Sequence, residues 1–187
     1  MAVFYLVRHG QTDWNVEHKL QGQKDIPMND EGKRQMNELA DKLAETGLTF
    51  DLIISSPLDR AKTSAEIIAE KIKYEGGIIC DPGFLERDFG ELEGTKWTPN
   101  LKFEGPHNRL ESVSEVCDRA KKTLEKYTFP EDARVMIVSH GAMLTAVRTV
   151  LSDGKVSYED RSIPIIQGNV LCCEKIHGKE PRFYVLL

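Results

Sequence analysis

The chain alternates unbroken apolar runs with amphipathic stretches. "VFYLV" (3–7) is a short continuous apolar run, the pattern of a strand buried on both faces. Residues 11–28 are polar and aperiodic. Helical spacing follows: Met36, Leu39, Ala40 and Leu43 share one face, Asn29 or Asp30 can cap the start, Glu31 favours the first turn and Gly47 ends it. "FDLIISS" (50–56) predicts a second strand. Ser56 as N-cap and Pro57 at the first helical position predict a helix running to about Lys73, with Ala61, Ala65, Ile68 and Ile72 inward. "GIIC" (77–80) predicts a short strand, whereas 81–110 carry Gly, Pro and aromatics without a period. Ser112 and Glu115 have capping-box spacing for a helix to about Tyr127. "RVMIVS" (134–139) reads as another buried strand and "AMLTAVRTVL" (142–151) as a helix. "GNVLCCEKI" and "RFYVLL" predict a closing pair of strands around His177–Gly178–Lys179.

Strands that alternate with helices predict an α/β fold of three layers, a mostly parallel central sheet flanked by helices. No repeat, low-complexity tract or linker interrupts the pattern, so residues 1–187 are expected to form a single domain. In such sheets, ligands bind beyond the carboxyl ends of the strands. Three predicted strands end in chemically loaded residues. The first ends in Arg8–His9, the second leads through Ser55–Ser56 to Arg60, and the third ends in Ser139–His140–Gly141. A parallel sheet would bring all three to one edge.

Composition narrows the partners. The net charge of −5 gives no basic surplus, so neither nucleic acid nor an anionic membrane is an expected partner. An anionic ligand would need a local positive site. No run approaches a membrane span, which predicts a soluble, cytoplasmic protein. Cys80, Cys117, Cys172 and Cys173 lack zinc spacing and are expected as free thiols in a reducing compartment. On a strand, Cys172 and Cys173 would point to opposite faces.

Two histidines and two arginines at one sheet edge suggest an anion site, because arginine stays charged and grips phosphate through a planar fork. Gly10 is expected to let the backbone approach the anion, and the helices after the second and third strands to aim their N-termini at it. Neither a P-loop nor metal-ligand spacing is present, so the expected chemistry runs without a metal or other cofactor. A neutral histidine can attack phosphorus through one ring nitrogen while the other keeps its proton by donating to a carbonyl. Arginines would stabilise the transferring phosphoryl group. A carboxylic acid must protonate the leaving oxygen, and Glu86, Asp88, Glu91 and Glu93 are the local candidates. Like charge from a phosphate dianion would raise such an acid's pKa. His18, His107 and His177 are expected in loops or on the surface, and Trp14 and Trp97 as packing residues.

"LVRHGQTDWN" (6–15), "SSPLDRAKTSA" (55–65), "LERDFGELEG" (85–94) and "VSHGAM" (138–143) together resemble the histidine phosphatase superfamily, in its phosphoglycerate mutase-like branch, and in the family order. The resemblance implies a phosphoglycerate mutase-like fold. It implies His9 as the nucleophile that becomes phosphohistidine. Arg8, Arg60 and His140 would bind the phosphoryl group and stabilise its transition state. Glu86 would be the general acid and later the base that activates water. Asn15 would contact phosphate, Gln11, Thr12, Gln21 and Gly22 would line the substrate pocket, and Gly141 would offer a backbone N–H.

Family members differ in the phosphate acceptor, which is water for a phosphatase and a phosphoglycerate for a mutase. The cofactor-dependent mutases resemble this core but carry a much longer insertion between the acid and the second histidine. They place a tyrosine three positions after the acid, where this chain has Phe89. Their adjacent arginine pair is missing between 95 and 115, where Arg109 stands alone. These departures favour a short, broad-specificity phosphatase that hydrolyses small phosphate monoesters. A 2,3-bisphosphoglycerate-dependent mutase is the alternative, and a non-catalytic phosphometabolite-binding protein a third reading. A short cap insertion around 95–112, with Lys96, Trp97, Lys102, Phe103, His107 and Arg109, would select a small phosphorylated metabolite. Nothing in the pattern fixes an oligomeric state.

Overall fold

The structure, a computed structural model, describes residues 2–98, 101, 110–174 and 180–187. Six strands form one sheet in the order β3-β2-β4-β1-β5-β6. β1 (Val3–Arg8), β2 (Leu52–Ser55), β3 (Ile78–Cys80) and β4 (Arg134–Ser139) are parallel, while β5 (Val170–Glu174) runs antiparallel to β1 and β6 (Arg182–Val185) antiparallel to β5. The described helices are α1 (Asp13–Val16), α2 (Asp30–Glu45), α3 (Asp59–Lys71), α4 (Val113–Leu124) and α5 (Gly141–Leu151).

Pleating sorts the apolar runs between two cores. Phe4 and Leu6 of β1 enter one core with Ile54, Val135, Ile137 and Cys173, under Val116 and Ala120 of α4 and Met143, Leu144 and Val147 of α5. Tyr5 and Val7 enter the other with Ile53, Met136, Val138 and Cys172, under Met36, Leu39 and Leu43 of α2 and Ala65 and Ile68 of α3. Because both faces are covered, the central strands read as unbroken apolar runs. The vicinal cysteines fall into opposite cores, as the period of two requires. Each fully buried Leu or Ile contributes about 1.5–3 kcal/mol by leaving water.

Two helix starts match the sequence signals. Asn29 caps α2 by accepting from the Gly32 N–H at 2.9 Å. Ser112 and Glu115 form the reciprocal box at the start of α4, at 3.2 and 2.7 Å. Two expectations fail. α3 starts at Asp59, with Leu58 at the N-cap and no side-chain cap bond, so Ser56 and Pro57 precede the helix. The polar segment after β1 contains the single-turn α1, closed by a capping box between Thr12 and Asn15.

The topology makes β2, β4 and β1 consecutive neighbours. Arg8 pairs with Ser139 across β1 and β4, and the His9 N–H donates to the Ser139 carbonyl at 3.0 Å. On the other side, the Ser56 N–H donates to the Val138 carbonyl at 3.0 Å. Arg8–His9, Ser56 and His140 therefore sit on three adjacent strand ends.

Candidate active site

His9 and His140 leave neighbouring parallel strands, and their ring centroids lie 5.1 Å apart. His9 Nδ1 is 2.7 Å from the Gly10 carbonyl oxygen. An acceptor there holds the proton on Nδ1 and leaves the Nε2 lone pair unused. His140 is held by its opposite nitrogen, with Nε2 2.8 Å from Ser56 Oγ. Burial, reinforced by Arg60 and Arg8, drives the His9 pKa well below the ordinary value, against the opposing pull of the Gly10 carbonyl. The His140 pKa is also driven well down, by burial and then by Arg60, His9, Arg8 and Arg119. Both imidazoles are neutral at pH 7.

The arginines are buried beside them. Arg60 is fully buried and donates to the Lys24 carbonyl at 2.7 Å and the Gly22 carbonyl at 2.8 Å, so it also shapes the 21–25 loop. Burial lowers its pKa to about 10, with Glu86 the strongest opposing charge. Arg8 is also lowered by burial and supported by Glu86. Its guanidinium lies against Gly141, where an added Cβ would sit 3.5 Å from Arg8 Cζ. Five buried polar side-chain atoms lack a partner among the described residues. They are Arg8 Nε, Arg60 Nε, His140 Nδ1, Gln21 Oε1 and Arg148 Nε. Four belong to predicted site residues. The fifth belongs to an arginine that holds the Ser157, Asp160 and Ile163 carbonyls. A buried donor left unpaired costs about 1–3 kcal/mol, which an arriving anion can offset.

Of the four acidic candidates, Glu86 carries its carboxylate to the start of α5. Its Oε1 accepts from the Met143 N–H at 3.0 Å and the Arg87 N–H at 2.8 Å, and Oε2 from the Ala142 N–H at 3.3 Å. Asp88 turns back to the Gly90 N–H, Glu93 accepts from the Gln23 N–H, and Glu91 is exposed. Ser139 Oγ donates to the Phe84 carbonyl at 2.7 Å, fixing the loop that carries Glu86 to the strand end. Arg119 of α4 adds a clamp that the sequence reading missed. It donates to the carbonyls of Gly83, Leu85 and Glu86 and pairs with Glu111 at 2.6 Å. Tyr158, also missed, hydrogen-bonds Arg87 beside Glu86, and burial pushes its phenol up to about 12.

The remaining predicted residues divide. The Asn15 Oδ1 accepts from the Thr12 N–H and Oγ1–H at 3.1 Å and from Gln167 Nε2 at 2.9 Å. Its Nδ2 donors keep no partner among the described residues. Thr12 is fully buried and spends its hydroxyl on the α1 cap. Gln11 binds α2 instead, with its Oε1 accepting from Asn29 at 3.2 Å and its N–H donating to Gln35. Gly22 has φ +52 and passes so close to Glu93 that a Cβ would sit 1.8 Å from Oε1.

Two expectations about the anion are corrected. The absent side chain of Gly10 makes room for α2, since a Cβ would meet the Gly32 carbonyl oxygen at 2.4 Å and Met28 Sδ at 2.6 Å, and its N–H donates to Ser64 Oγ. The helix N-termini do reach this edge, but they receive the protein's own carboxylates. α5 receives Glu86, and the Asp59 N–H of α3 donates to Asp25 at 2.8 Å. The cationic side chains are left to meet an outside anion. Lys96 pairs with Lys19 through the backbone in an isolated antiparallel β-bridge, and Trp97 donates its backbone N–H to the His18 carbonyl with its side chain exposed. Lys102, Phe103, His107, Arg109 and His177 lie outside the described residues.

Residues 4–167 match the histidine phosphatase superfamily (branch 1). A Bacillus subtilis protein named uncharacterized phosphatase PhoE is 39% identical over 159 residues, covering 82% of this chain and 79% of its own. A Proteus mirabilis probable phosphoglycerate mutase GpmB is 36% identical over 178 residues, covering 87% and 80%. Among solved structures, a mycobacterial glucosyl-3-phosphoglycerate phosphatase complexed with VO3 superposes with a TM-score of 0.83 at 24% identity, over 98% of this chain and 97% of that one. That similarity speaks for the fold. With the matched stretch running from the first strand to the segment before β5, the chain belongs to the histidine phosphatase superfamily, branch 1.

Proposed function

We propose that the protein is a metal-independent phosphatase that hydrolyses small phosphate monoesters through a phosphohistidine intermediate. One observation carries this reading. The unpaired buried nitrogens of Arg8, Arg60 and His140 accompany a histidine whose other nitrogen is already bound to a carbonyl. His9 Nε2 attacks phosphorus as the P–O ester bond breaks. Glu86, in its acid form, gives its proton to the leaving oxygen. Glu86, now a carboxylate, takes a proton from water as the water oxygen attacks phosphorus. The P–N bond breaks, which restores neutral His9 and releases inorganic phosphate. Arg8, Arg60 and His140 stabilise the charge spread over the phosphoryl oxygens. Asn15 Nδ2 would add a further donor. Gln21 and Gly22 border the pocket through the loop that Arg60 holds, and Gly141 offers the first N–H of α5. The natural substrate would be a small phosphorylated metabolite in the cytoplasm, selected by the cap residues around 95–112.

Release of phosphate from p-nitrophenyl phosphate, unchanged by a chelator, is the expected result. Quenching in alkaline denaturant should trap an acid-labile, alkali-stable phosphoryl group on His9. Loss of all turnover with EDTA, restored by a divalent metal, would overturn the metal-free route. No turnover by folded protein would favour a binding role. The GpmB relative supports a second reading, phosphoglycerate mutase. It predicts interconversion of 2- and 3-phosphoglycerate that depends on 2,3-bisphosphoglycerate and exceeds hydrolysis.

A further inference from the structure

Ser56 stands where the sequence signals a helix cap, yet α3 begins without it. Ser56 Oγ accepts weakly from the Leu58 N–H at 3.4 Å and lies 2.8 Å from His140 Nε2. Both residues are fully buried. The hydroxyl proton finds no acceptor among the described residues other than the imidazole nitrogen. We propose that Ser56 is a positioning residue that fixes neutral His140 as the Nδ1–H tautomer, making its buried Nδ1 a donor to the bound phosphoryl group.

The tautomer matters because the ring is neutral. Arg60 on α3, Arg8 and His9 at the end of β1, and Arg119 on α4 all oppose a positive charge on His140, while Glu86 is occupied by the first turn of α5. A neutral imidazole has one N–H. If Nε2 carried it, the serine proton would lose its acceptor and Nδ1 would turn a lone pair toward a phosphate oxygen. With Ser56 donating to Nε2, the proton sits on Nδ1. That nitrogen has no partner among the described residues, as a donor kept for an anion would. Moving the helix start to Asp59 frees the hydroxyl for this task. The proposal rests on the phosphatase reading for its consequence in turnover, but not for the tautomer itself.

Nitrogen-15 NMR of the wild-type protein tests the tautomer directly, with the His140 signals assigned by their absence in His140→Gln. A proton on Nδ1 and a lone pair on Nε2 is the expected result. The reverse assignment overturns the proposal whether or not the protein is a phosphatase. Ser56→Ala should mix the tautomers and lower kcat about 10- to 100-fold in mildly alkaline solution. The deficit should shrink as pH falls, because an imidazolium donates from both nitrogens. A folded Ser56→Ala protein with unchanged kcat at every pH overturns the proposal, as does a deficit that ignores pH. Should Ser56→Ala fail to fold, the wild-type spectrum decides alone. Should the wild type hydrolyse no phosphate ester, the function fails while the spectrum still judges the tautomer.

Discussion

β1 and β4 end alike. His9–Gly10 and His140–Gly141 leave adjacent parallel strands, with Arg8 in register with Ser139. The two ends are nevertheless built for opposite tasks. A carbonyl acceptor holds Nδ1 of His9 and frees Nε2, whereas a hydroxyl holds Nε2 of His140 and leaves Nδ1 unpaired. Gly10 is pressed against Gly32 of α2, whereas Gly141 opens α5 beneath the Arg8 guanidinium. The same dipeptide becomes a lone pair at one strand and an N–H at the next because different elements pack on it. The partner of a ring nitrogen, rather than the residue type, sets what histidine can do.

The comparison breaks most visibly at His9, the proposed nucleophile. His9→Ala should lower turnover by about 10⁴-fold or more with the fold intact, since no other group here can take its role. Phosphate-release kinetics with a circular-dichroism control measure this, and retained turnover would refute the assignment. His140→Ala should cost less, about 10²- to 10³-fold, as expected for one lost donor. Equal losses in the two variants would erase the distinction drawn between the two strand ends.

The glycines offer a smaller test, read by urea denaturation. Gly10→Ala forces a methyl into the Gly32 carbonyl and Met28 and should destabilise by about 1–3 kcal/mol. Gly141→Ala meets Arg8 first, at ordinary contact distance, and should stay within about 0.5 kcal/mol. The last effect is one the histidines share. Both have folded pKa values depressed by burial, so below about pH 6.5 the unfolded chain binds protons that the folded one refuses. Stability should therefore fall with acidification, by up to about 1.4 kcal/mol per pH unit for each histidine. The loss ends once the folded values are reached. His9→Gln and His140→Gln should each flatten the slope equally when unfolding is followed from pH 7 to 5.

Much of the fold was legible because local patterns decide it. Apolar runs marked the buried strands, the period of two parted Cys172 from Cys173, and the Ser112–Glu115 spacing placed a helix start. The site was legible as far as strand ends carry chemistry, which located Arg8, His9, Arg60 and His140. What escaped has one cause. A serine before a proline satisfies the cap pattern, but Ser56 gives its hydroxyl to an imidazole 84 positions away. Thr12 and Gln11 sit in the right motif, yet one caps α1 and the other ties down α2. No periodicity shows that Arg119 holds three carbonyls of the Glu86 loop.

By itself, the sequence determined which residues are apolar, where strands end, and that two histidines and two arginines stand at those ends. These depend on side-chain period and chain direction, which neighbours in sequence dictate. Only the tertiary structure decided which nitrogen of each histidine is held, whose carboxylate fills the start of α5, and which donors stay unpaired for an anion. Hydrogen bonds act over about 3 Å, and folding alone brings groups from distant parts of the chain that close.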